Sequence, residues 1–79
     1  MRERMDRLVI TFPSTTAAMS MEEACHKAGI PGRLIPTPRE FTAGCGLAWA
    51  CELTERPRVT ALLEEQRIPH GQIGVVAMF

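Results

Sequence analysis

Leu8-Val9-Ile10-Thr11-Phe12-Pro13-Ser14-Thr15-Thr16 changes character part-way along, and that change decides how the rest of the chain is read. Leu8 to Phe12 is rich in β-branched and aromatic types that suit a pleated, half-buried strand. Pro13 has no N–H to continue a ladder, and the hydroxyls after it accept hydrogen bonds from the unpaired N–H groups of a helix start. A strand passes into a helix here. From there the apolar residues fall at Ala17, Ala18, Met21, Ala24, Cys25 and Ala28, the spacing of one helix face, until Gly29 and Pro31 stop the run. The helix is expected over about 15 to 29, within the usual boundary error.

Gly32-Arg33-Leu34-Ile35-Pro36-Thr37-Pro38 reads as a short strand whose prolines confine it to a sheet edge. A loop from Arg39 to Gly46 follows. Gly46-Leu47-Ala48-Trp49-Ala50-Cys51-Glu52 alternates large and small residues, which puts Leu47, Trp49 and Cys51 on one strand face, turned to the helices. Thr54 offers an N-cap for a second helix, with Pro57 in its first turn and Val59, Leu62 and Leu63 as its apolar stripe; Ile68-Pro69 ends it. Gln72 to Phe79 reads as a buried strand closing the domain. The order β-α-β-β-α-β, with no repeat or linker, predicts a single α+β domain over residues 1–79. Its economical form is the ferredoxin-like sandwich, two helices on one face of a four-stranded antiparallel sheet. The competing arrangement keeps both helices and lets the weak second strand dissolve into a proline loop.

At 79 residues the chain is one domain, and 46% hydrophobic against 23% charged residues is enough apolar material for a core. Nine basic and nine acidic residues cancel, so no broad positive field exists to gather nucleic acid or anionic lipid. The apolar run after Arg7 is too short for a signal-peptide core or a membrane span, and a cytoplasmic protein is expected. His26 and His70 lack cysteine or carboxylate at ligand spacing, so no metal site and no cofactor are called for. Both histidines are expected at the far end of the fold or on its far helix. Glu55, Arg56, Arg58, Glu64, Glu65 and Arg67 read as a solvated face of the second helix.

Three cysteines without a Cys-x-x-Cys pair make neither an even disulfide framework nor a zinc ribbon. Cys25 lies on the apolar helix stripe and Cys51 shares a strand face with Trp49, and both are expected in the core. Cys45 differs: Gly44 and Gly46 flank it, removing bulk beside the sulfur and permitting positive φ. In the expected topology its loop turns at the end of the sheet where the first helix begins. Helix N–H groups there, with Arg39 and the hydroxyls of Ser14, Thr15 and Thr16, would stabilise a thiolate. A thiol at the reference pKa of about 8.5 is only about 3% ionised at pH 7, whereas a pKa near 6.5 makes it roughly 75% thiolate.

The opening Leu8 to Ser14, Glu22-Glu23 in the helix, and above all Pro36-Thr37-Pro38-Arg39-Glu40 followed by Gly44-Cys45-Gly46 resemble the selenium/sulfur carrier-like family over most of the chain. The resemblance implies that Cys45 carries sulfur or selenium as a persulfide or selenopersulfide. It also implies a donor such as a cysteine desulfurase or a selenocysteine lyase, and a downstream acceptor. The Cys-Pro-x-Pro motif of other small sulfur-transfer proteins is missing, so any shared role would rest on a different site.

Two other classes fit the residues. A small regulatory or protein-interaction module would dispense with thiol chemistry and could form a homodimer through the C-terminal strand, an apolar edge able to pair with a copy of itself. A thiol enzyme or redox sensor would need a resolving thiol or a positioned base beside Cys45.

Overall fold

The computed structural model describes residues 5–41 and 46–78. Strand β1 (Met5–Thr11) leads into helix α1 (Thr15–Ala28) and strand β2 (Arg33–Pro36). Strand β3 (Leu47–Glu52) leads through a 3-10 turn (Leu53–Glu55) into helix α2 (Arg56–Glu65) and strand β4 (Ile73–Met78). The strands form one antiparallel sheet in the order β2-β3-β1-β4. Each helix thus crosses between two strands that flank a third, which is the ferredoxin-like α+β arrangement expected from the element order. The weak second strand does form, with Arg33 opposite Ala50 and Pro36 opposite Leu47.

Local chemistry sets the helix ends. Ser14 is extended (φ −151°, ψ 158°) and its Oγ accepts from the Ala17 N–H at 3.2 Å, so the hydroxyl after Pro13 caps α1 as read. At the other end Gly29 takes φ 71°, Ile30 N–H reaches Cys25 O at 2.9 Å, and buried Ile30 completes a Schellman motif. The end of α2 repeats this with a residue less suited to it. Arg67 sits at φ 52° while Ile68 N–H donates to Leu63 O at 3.0 Å. Thr54 does not cap α2: it lies inside the 3-10 turn, and the helix begins at Arg56 with Pro57 in its first turn and no side-chain cap.

The face meeting the helices holds the main core, where Leu8, Ile10, Phe12, Trp49 and Cys51 pack on Ala18, Met21, Cys25, Val59 and Leu63. The alternation read in β3 is therefore correct. Arg58 is exposed, as expected of a solvated face, and it also ties the helices together: it contacts the largely covered Glu55 at 2.9 Å and donates to the Ala28 carbonyl at 3.2 Å. β4 is not the buried strand expected. It lies at the sheet edge, as the interaction-module reading expects, with Val76 buried and Val75 50% exposed.

The opposite face carries no helix, yet it is not bare. Val9, Ala48, Ala50 and Val76 are buried there, with Ile35, Phe41 and Met78 packed against them.

Candidate functional site

Because β1 runs up to Thr11, α1 starts there, β2 ends there and β3 leaves from there, the Pro13 turn and the β2–β3 connection share one end of the sheet. The same topology brings the α2–β4 connection to that end. Gly71 N–H donates to Thr11 O at 2.7 Å, and the Gln72 N–H donates to the buried Thr11 Oγ1 at 2.8 Å. His70, beside Gly71, accordingly lies at the end that carries the loop, contrary to the expectation that both histidines sit away from it. The reason is the direction of α2, which climbs from the end of β3 to the start of β4. His26 does lie at the opposite end, in the last turn of α1.

The β2–β3 connection begins as a continuation of the hairpin, with Thr37 N–H donating to Gly46 O at 2.9 Å. Phe41 N–H donates to Pro38 O at 3.1 Å, closing a turn whose central residues are Arg39 and Glu40. Both are exposed, Pro38 is half-buried, and Pro36 is exposed at the end of β2. Gly46 is exposed with open space around it. Gly44 and Cys45 lie outside the described residues, and with them the expectation that the thiol sits near the first turn of α1. Ser14, Thr15 and Thr16 are exposed at the start of α1. Part of their capacity is already used, since Ser14 caps Ala17 and the Thr16 carbonyl accepts from Ser20 Oγ at 3.0 Å. Among the described residues no hydrogen bond or ion pair joins this group to Arg39 or Glu40.

Phe41 is a site residue that the sequence reading passed over. It packs on the helix-free face, and a Cβ built on Gly74 of β4 would meet its ring at 3.0 Å. The loop that starts from edge strand β2 therefore reaches across the sheet to the opposite edge strand. Two signals could have found it: a single aromatic residue in a polar loop, and an isolated glycine inside a strand, which marks close approach of another group.

The other two thiols are withdrawn from chemistry. Cys25 is fully buried, and burial pushes its thiol up to about 11, with nearby Cys51 adding to the rise and Arg58 opposing it. Burial likewise raises Cys51, while the indole N–H of Trp49 acts the other way. That N–H meets no partner in hydrogen-bond geometry, consistent with a thiol sulfur being a poor acceptor. Among the described residues no three histidine, cysteine or carboxylate groups cluster as metal ligands, and no helix is long and apolar enough to cross a membrane.

The fold is a small α+β domain, and its sequence carries a glycine-flanked cysteine between β2 and β3. The family model described as "Putative Se/S carrier protein-like" matches residues 7–73, and the chain belongs to that family. No curated protein and no solved structure matches the chain.

Proposed function

We propose that this protein is a carrier that holds sulfur or selenium on Cys45 as a persulfide or selenopersulfide. The observation that carries this reading is the withdrawal of Cys25 and Cys51 into the core with raised thiol pKa values. A carrier of sulfur or selenium, the role the family's description suggests, needs a thiolate, and on this reading Cys45 is the cysteine left for it. The chemistry asks little of the protein. The Cys45 thiolate attacks the terminal sulfur of a donor persulfide, a new S–S bond forms, the donor's S–S bond breaks, and the electron pair leaves on the donor thiolate. Reversal of the same exchange delivers the sulfur to the acceptor, with no net oxidation. Gly44 and Gly46 give a bulky donor access, and Arg39 supplies the positive charge that favours the thiolate. Pro36 and Pro38 stiffen the base of the loop, and Glu40 shares its turn with Arg39.

The donor on this reading is a cysteine desulfurase or selenocysteine lyase, the acceptor a downstream enzyme, and the compartment the reducing cytoplasm, where free thiols persist. The test is the alkylation rate of each cysteine against pH in the native protein, resolved by peptide mass spectrometry. Cys45 alone should label fast, with a midpoint below about 7.5 against an ordinary value near 8.5, and Arg39→Ala should raise that midpoint. A Cys45 that labels like an ordinary thiol, or is protected, removes the basis of the carrier mechanism.

A further inference from the structure

The two edges of the sheet are built differently. β2 contains Arg33 and Pro36 and is flanked by Pro31 and Pro38. A charge resists burial and a proline has no N–H to offer a neighbour, the usual protections of a free edge. β4 has neither: its six residues include no charge and no proline, and among the described residues no strand lies beyond it. The Thr11 N–H donates to Gln72 O at 2.9 Å and the Thr11 O accepts from Gly71 N–H, so the backbone groups of Thr11 face β4. Alternation along the antiparallel ladder then turns the backbone groups of Gly74, Val76 and Met78 toward β1 and those of Ile73, Val75 and Ala77 outward. Val75 stands at the centre of this outward set and is 50% exposed.

We propose that β4 pairs antiparallel with the β4 of a second copy about a two-fold axis at Val75, joining two four-stranded sheets into one of eight. The outward set is symmetric about Val75, so a single two-fold sets Val75 against its own counterpart and Ile73 against Ala77 in both directions. Every outward N–H and C=O of the strand finds a partner in that register. A second copy fits because the strand is uncharged and the chain's formal net charge is zero, so two copies meet without electrostatic repulsion. The interface is one strand pair, and interfaces below about 1,200 Å² are weak and transient. The dimer is therefore concentration-dependent, and it stands independently of what Cys45 carries.

Sedimentation of the full chain, with Cys45→Ser to remove thiol cross-linking through that residue, tests this over about 5 to 500 µM, the range suited to a weak interface. A dimer should grow with concentration and disappear in Val75→Lys, whose thermal unfolding should match the parent because Val75 is half exposed. In a second variant, Val75→Cys, mild oxidation should give a covalent dimer, since a hydrogen-bonded pair spans about 5.5 Å between Cα atoms, within disulfide reach. Met19→Cys, equally exposed on α1, should stay monomeric. A chain monomeric throughout, a dimer that survives Val75→Lys, or Val75→Cys cross-linking no better than Met19→Cys would overturn the proposal.

Discussion

The two faces of the sheet solve the same problem with different materials. On the helix side, long side chains such as Leu8, Ile10 and Trp49 meet two helices, and Met21, Val59 and Leu63 fill the gaps. On the other side the strands present small residues, Val9, Ala48, Ala50 and Gly74, and the cover comes from Phe41 in the loop and Met78 at the end of β4. The helix side forms the thick core that makes the domain fold. The thin side gives Phe41 something to rest on, so the described start of the β2–β3 connection is anchored to the sheet through an aromatic ring. A domain of this size has little stability to spare. Assigning the core to one face leaves the other available for holding a loop.

Neighbouring residues on β1 provide the largest test of this contrast. Both are fully buried, Ile10 toward the helices and Val9 away from them. Ile10→Ala should cost about 2–5 kcal/mol, because the cavity it leaves is walled by two layers. Val9→Ala should cost roughly 1–2 kcal/mol, from the lost methyl groups under a cover that can settle. Urea unfolding followed by Trp49 fluorescence measures both, and equal losses would mean that the two faces are equivalent cores.

Two glycines sharpen the same comparison at smaller scale. A Cβ at Gly32 would lie 2.5 Å from Trp49 Cζ2 and 2.7 Å from the Ala50 carbonyl oxygen, neither of which has room to move. Gly32→Ala should therefore destabilise by about 1–3 kcal/mol through overpacking. At Gly74 the obstacle is the Phe41 ring on a loop, which can shift by a few tenths of an ångström. Gly74→Ala should be close to neutral alone. In a Phe41→Ala background it should become stabilising by about 0.5–1 kcal/mol, the ordinary gain of replacing a strand glycine. A large loss at Gly74 in both backgrounds would show that the thin face is as rigid as the thick one.

A pH-dependent effect is confined to the helix side. Cys25 keeps its proton to about pH 11 in the folded protein, whereas in the unfolded chain it ionises near the ordinary thiol value. The folded state then binds more protons above the unfolded pKa, so stability should fall as pH rises from about 9 to about 11. Cys25→Ala should flatten that part of the pH profile in thermal unfolding. An unchanged slope would mean that this thiol is not held in a desolvated site.

Much of this was legible because the relevant signals are local. The period-two alternation Leu47-Trp49-Cys51 specifies which strand face is buried whatever it is buried against. Pro13 with Ser14, and Gly29 with Pro31, mark the limits of α1 because capping and φ restrictions act within a few residues. The start of α2 was misread at Thr54 because a hydroxyl before a proline offers a cap wherever it occurs, while the chain here uses a 3-10 turn to swing from β3 into the helix. The withdrawal of Cys25 and Cys51 was likewise read from their places on apolar faces.

What required the tertiary structure were the relations between distant segments. His70 shares an end with the β2–β3 loop only because α2 returns the chain across the sheet. Phe41 finds Gly74 only because β2 and β4 occupy the two edges of one sheet and the face between them carries no helix. By itself the sequence determined the elements, the buried faces of α1 and β3 and the withdrawal of Cys25 and Cys51 into the core, since propensity, periodicity and burial are properties of single segments. The anchoring of the loop and the contrast between a protected and an unprotected edge were decided by strand order, which no segment encodes alone because it arises from packing them all together.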